Sequence, residues 1–383
     1  MTGALARLIA GQVLVLSVWF SAAAVLPGLA AAAGVAPAAL AGLSTATQLG
    51  FVVGALALAI TGLPDRRDPR LVFAAASVLA ACANAALLLL PPDGWAAIIS
   101  RFVVGAALAG AYPVGMKIAV GWSLARRGLI VGALVGALTL GSAAPHGLAV
   151  LGGADARLVV LGTSAAALLG AFLVAGCALG PHHARALAFR PRAALLAWRV
   201  PGIRWAYLGY FGHMWELYAF WAWVAVMAGA GGAPGSLVAV LAIGLGGLAC
   251  LPAGWAADAW GRARIAEAAM WASAAAGLLA ALLFGGAPWL FALALILWGI
   301  VIIPDSAQFS ALVADAAPAE YAGSLMALQT ALGFALSALT VQWLPAAASW
   351  WGWPAAMALL ALGPVCGALA MRRLVREAGR VGA

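Results

Sequence analysis

Two stretches half a chain apart decide how this sequence folds: TGLPDRRDPR, from Thr61 to Arg70, and GWAADAWGRAR, from Gly254 to Arg264. Each is a short charged segment carrying turn-forming Gly or Pro, set between long apolar runs. Asp65 in the first and Asp258 in the second hold equivalent places. A second echo pairs YPVGMK, around Pro113, with IPDSAQ, around Pro304, and so puts Lys117 and Gln308 in matching positions. A chain that repeats itself at half its length is built from two similar units.

Composition says what the units are made of. Of 383 residues, 66% are hydrophobic and 8% charged, and mean hydropathy is +1.08, outside the usual range of a soluble domain. Apolar windows of roughly 20 residues, the length that crosses a ~30 Å hydrocarbon layer as a helix, follow one another from end to end. They lack the alternating polar residues of a barrel wall. The expected fold is an all-α membrane protein with twelve transmembrane helices, over 8–30, 41–63, 71–91, 95–121, 128–150, 157–179, 205–228, 236–257, 265–285, 289–313, 322–344 and 352–371. The N-terminal apolar run is longer than a signal-peptide core and is read as the first of them.

An even count puts both termini on one side. Seventeen of the twenty Arg and Lys map there: Arg7, Arg66, Arg67, Arg70, Arg126 and Arg127 in the first half, Arg185, Arg190, Arg192, Arg199 and Arg204 in the central connection, Arg262, Arg264, Arg372, Arg373, Arg376 and Arg380 in the second half. Only Arg157 maps to the opposite side, so both termini are expected to be cytoplasmic. The net charge of +9 is thus a property of one membrane face, and no nucleic-acid partner is expected. Abundant Ala, Gly and Arg with a single lysine suggest a GC-rich bacterial genome, and hence a multi-pass protein of the inner membrane, expected as a monomer. The longest connection, rich in Arg and Pro, divides the chain into 1–180, a linker over 181–204, and 205–383. Cys82, Cys177, Cys250 and Cys366 lie singly in apolar windows without metal-like spacing. His182 and His183 in the linker are read as solvated, and no metal or cofactor is expected.

At the loops the sequence resembles the major facilitator superfamily. GWAADAWGRAR fits that family's loop signature through Gly254, Asp258, Gly261, Arg262 and Arg264; the first copy keeps Asp65, Arg66 and Arg70 but has Thr61 and Asp68 where glycines are expected. RFVVGAALAG resembles the family's pattern in span four at Arg101 and Gly105, while GALVGALTLGSAAPHG in span five departs from the antiporter motif because Pro145 comes late. The resemblance implies two pseudo-symmetric six-helix bundles that rock about one central site, with helices one, four, seven and ten lining the cavity. It also implies that the charged loops are cytoplasmic gates latching helix two to eleven, or five to eight.

Ionisable residues inside a membrane are functional candidates by default, because each costs at least ~2.5 kcal/mol on insertion scales. In HMWELYAFWAW, His213, Glu216, Phe220 and Trp223 share a helix face that Tyr210 extends. Glu216 is read as facing a cavity, either coupling protons to transport or tying helices together with His213 or Lys117. Lys117 and Asp305 lie at matching depths and are expected to pair across the cavity, with snorkelling of Lys117 as the alternative. Arg101 is placed about 160° around span four from Lys117, with proton relay or linkage within the first bundle as its role. Gln308 joins these, as do Trp19, Gln12 and Ser17 of span one and Gln329 and Thr330 of span eleven, each either a cavity ligand or a bond to a neighbouring helix. The expected function is secondary active transport of a small organic or anionic solute, coupled to protons. The alternatives are a proton-coupled drug or metabolite efflux antiporter, and a membrane sensor or enzyme. Neither a phosphate-binding Gly-rich loop nor a catalytic cluster supports the last.

Overall fold

A computed structural model describes residues 2–122, 127–152, 155–183 and 189–381; Arg126 and Arg185 lie outside these, as do the side chains of Arg127 and Arg380. The described residues form helices and no strands. Among them, nine helices are long and apolar enough to cross a membrane. The last of the nine is two spans joined, because Gly352 turns the backbone at φ 81° within Ala319–Leu360. Pro201–Ala230 is 30 residues long but rich in Trp, Tyr and His, and the first segment is interrupted after Leu16. With these the spans number twelve.

Span one is Thr2–Leu16 continued by Ser21–Ala24 and Leu26–Ala33; two is Ala41–Thr61; three, Pro69–Ala86; four, Trp95–Leu108 and Tyr112–Val120; five, Arg127–Leu151; six, Ala156–Ala175. Seven is Pro201–Ala230; eight, Gly235–Trp260; nine, Arg262–Leu283; ten, Pro288–Val301 and Ser306–Ala316; eleven and twelve lie either side of Gly352, twelve continuing in Leu362–Val381. Spans four and ten both break just before Pro113 and Pro304. Proline has no N–H to donate and crowds the preceding turn, so the repeated proline produces a repeated break.

Packing repeats as well. Within the first half, span two lies against four, three against four and six, and one against five and six; within the second, eight lies against ten, nine against ten and twelve, and seven against eleven and twelve. The halves meet through spans two and eleven and through five and eight, two pairs that the half-chain repeat exchanges. Small residues make the close approaches possible. A Cβ on Gly50 or Gly105 would overlap the backbone of the facing span at the crossing of two and four, and Gly246 and Gly299 stand in the same relation where eight crosses ten.

The two loop copies end their helices differently. Gly62 (φ 61°) stops span two and starts the turn Leu63–Arg66, whereas span eight runs on to Trp260 and stops at Gly261 (φ 95°). A left-handed residue is required in each case, and glycine supplies it one residue after Thr61 in the first copy. Asp68 caps span three by accepting from the Arg70 backbone N–H at 2.9 Å. Hydrogen bonds from Arg70 hold the Asp68 carboxyl below its ordinary value of 3.8. Whatever stability this cap contributes is present above that pH and lost only as pH falls through the lowered value.

Candidate functional site

The first half is organised by Arg101, which is fully buried. Its guanidinium donates to the carbonyls of Val18 (3.2 Å) and Trp19 (2.7 Å), to Asn84 Oδ1 (2.8 Å) and to Ser21 Oγ (3.3 Å). The two carbonyls are those that the interruption of span one leaves without helical partners, so the arginine satisfies the break. Asn84 continues the network to span six through the Val160 carbonyl, Thr163 Oγ1 and Ser164 Oγ at 3.0–3.1 Å. Of the two roles expected for Arg101, the contacts are those of linkage within one half.

Lys117 does not meet Asp305. It bonds the Asp65 carboxylate and donates to the Pro64 carbonyl at 3.0 Å, on the arginine-rich face. The break before Pro113 leaves Lys117 in a short helix one turn from its end, too close to that face to reach the centre. With Arg66, Arg67, Asp68 and His183 it lines a cleft of about 380 Å³. His183, expected to be solvated, is only partly exposed there, and burial together with Lys117 lowers its affinity for a proton. Arg70 pairs with Asp68 and donates to the Cys177 carbonyl at the end of span six (2.9 Å). In the second copy Arg262 pairs with Asp315 at the end of span ten, while Asp258 and Gly254 line a groove of about 160 Å³ with Leu129 and Gly132 of span five. Among the described residues these ion pairs close within each half rather than across spans two and eleven or five and eight, while Asp258 and Gly254 face span five of the other half.

In the second half, Glu216 is buried and accepts hydrogen bonds from Ser273 Oγ of span nine (2.8 Å) and Trp298 Nε1 of span ten (3.0 Å). It turns into its own bundle and pairs with neither His213 nor Lys117, which corrects the cavity-facing reading. His213 Nδ1 lies 2.9 Å from Asp305 Oδ1, both residues being buried. The approach is that of an ion pair, and neither atom makes an aligned hydrogen bond. Phe309 packs 5.6 Å from the His213 ring and 6.0 Å from Tyr210. Trp223 donates to the Val341 carbonyl of span eleven at 2.9 Å and so also belongs to the bundle interior. Gln308 is buried one turn beyond Asp305. Gln12 and Gln329 donate to the carbonyls of Tyr112 and Ala206.

What joins the halves at the centre is aromatic. Trp19 lies 5.6 Å from Tyr218 and 5.5 Å from Phe334, Phe51 lies 4.3 Å from Phe334, and Phe20 meets Trp221 edge-on at 5.7 Å. Trp19, Phe20 and Phe51 come from the first half, Tyr218, Trp221 and Phe334 from the second, and all six are buried. Beyond them Thr45 Oγ1 and Gln342 Oε1 approach to 2.9 Å between spans two and eleven. The sequence reading found Trp19 but missed Tyr218 and Trp221, which stand on the other side of span seven from Glu216.

No curated protein sequence gives a significant match. Solved structures match the fold over nearly the whole chain. The xylose transporter XylE from E. coli, in a partially occluded inward-open conformation, superposes with a TM-score of 0.76 at 12% identity, covering 97% of each chain. The nucleoside transporter NupG gives 0.72 at 14%, covering 97% of this chain and 99% of its own, and the human organic anion transporter MFSD10 gives 0.67 at 18% with the same coverage. The family model described as Major Facilitator Superfamily matches residues 8–341. With that match, the repeated helix packing and the structural likeness, the chain belongs to the major facilitator superfamily of membrane transporters, and it is a transporter rather than an enzyme.

Proposed function

We propose that the protein carries a small organic solute by alternating access, the two halves parting along the aromatic layer between Trp19 and Phe51 on one side and Tyr218 and Phe334 on the other. The observation that carries this reading is the nature of that layer: ring contacts of 4.3–5.6 Å across the halves. Stacked rings can separate and reform without leaving a buried charge unpaired, whereas a buried ion pair broken across the layer would cost several kcal/mol. Residues 1–180 and 205–383 move as the two units about the 181–204 connection. That connection is anchored on both halves: the His182 N–H donates to the Gly121 carbonyl at 2.9 Å, and the Arg190 N–H donates to Ser324 Oγ at 2.9 Å. The arginine-rich face is cytoplasmic, by the bias of charge in the loops, and the membrane is the bacterial inner membrane.

Protons are coupled at His213 and Asp305 rather than at Glu216. The two groups are buried and reachable by water only when the halves part, which ties exchange of a proton there to the movement. Tyr210 and Phe309 flank the pair. Asp305→Asn is therefore expected to keep exchange of carried solute across liposomes but to lose at least ten-fold of the pH change that solute evokes. A pH signal equal to the unaltered protein's would remove Asp305 from coupling.

A further inference from the structure

We infer that the interface takes a neutral, flat heterocyclic ring with donors and acceptors on its edge, held between the Trp19 and Tyr218 rings when the halves part. This rests on the transport reading above and adds the chemical class of the solute.

Three observations converge on it. First, the planes of Trp19, Phe20 and Tyr218 are near parallel, at 13°, 15° and 26° to one another pairwise. The Trp19–Tyr218 contact joins the halves. When they separate, each half presents an aromatic wall to which a flat ring offers the contact that its partner gave, and ring stacking is favourable for any flat π face.

Second, the layer holds polar atoms that nothing satisfies. The indole N–H groups of Trp19 and Trp221 are buried without an acceptor, and Gln48 Oε1, one turn from Phe51, is buried without a donor. Buried polar groups are normally paired, and an unpaired one is costly. A solute supplying two acceptors and a donor meets all three needs.

Third, the charges of the central helices are already engaged. Arg101 is held by the carbonyls of Val18 and Trp19 together with Asn84 and Ser21, Lys117 by Asp65, Glu216 by Ser273 and Trp298, and Asp305 by His213. A charged solute between the rings would have to take a counter-charge from one of these partners. The anionic solute, one of the two expected from sequence, is thereby disfavoured at the centre.

The test is the melting temperature of the purified full-length protein titrated with three sets of probes: neutral heterocycles (uridine, adenosine, nicotinamide), ring anions (benzoate, orotate) and sugars (xylose, ribose). At least one neutral heterocycle is expected to raise it saturably while the anions and sugars do not. Trp221→Phe keeps a ring but removes the N–H, and is expected to raise the half-saturating concentration about ten-fold; Trp19→Leu is expected to remove saturation. Stabilisation by an anion or sugar alone, by none of the probes, or by a heterocycle with unchanged midpoint in both variants would overturn the inference. Uptake of the stabilising compound into liposomes tests transport separately. Binding without uptake would sink the transport reading and leave the class, whereas uptake of benzoate or xylose instead would sink the class and leave transport.

Discussion

Arg101→Met is expected to destabilise the protein by about 3–5 kcal/mol, the scale on which removing one member of a buried charged network acts. Methionine approximates the length and volume of the arginine stem, so packing is largely kept and the loss reports hydrogen bonding. The Trp19 carbonyl would be left buried without a donor, and the one Ser21 hydroxyl proton, within reach of the Val18 carbonyl (2.9 Å) and of Asn84 Oδ1 (2.6 Å), could satisfy only one of those two. Each unsatisfied group costs about 1–3 kcal/mol. In a thermal melt the midpoint should fall by on the order of 10 °C. Arg101→Lys should fall nearly as far, because an ammonium cannot span two carbonyls and an amide from one position. A melt for Arg101→Met within a degree or two of the unaltered protein would mean that the break in span one is held by something else.

Gly105→Ala is expected to be as severe for a different reason. The added Cβ would collide with the Thr47 carbonyl oxygen and the backbone around it, atoms that no rotamer change can move aside. Spans two and four would have to separate along their whole crossing, where Gly50 and Gly54 make the same close approach to Phe102 and Ala106. Overpacking of this kind costs about 1–3 kcal/mol and more when backbone is the obstacle. The expected result is loss of monodisperse protein on size exclusion in detergent. Gly254→Ala, in the loop motif but with open space around its Cβ position, should run like the unaltered chain.

The fold was legible because its signals are long and redundant: twelve apolar windows, arginines on one face, and a half-chain repeat that the helix packing reproduces. The central constellation was only partly legible, and span seven shows why. From Gly212 to Ala228 nearly every residue is buried, whichever way it points. A helix enclosed on all sides has no polar face, so periodicity could group His213 with Glu216 but not say that their face turns toward spans nine and ten. Nor could sequence show that span one breaks after Leu16, since no proline marks the place; the signal is Arg101, whose guanidinium lies against the freed carbonyls. Lys117 was misplaced because depth was counted along a straight helix, while the chain breaks just before Pro113.

Alternating access makes one demand of the ends of spans two and eleven, where Thr45 and Gln342 now touch. Spin labels at Thr45→Cys and Gln342→Cys, in a background where the exposed Cys82 and Cys366 are replaced by serine, report that distance by pulsed electron double resonance in lipid nanodiscs. Rocking halves predict two populations, one short as in this structure and one longer. A single short distance would contradict separation of the halves along the aromatic layer.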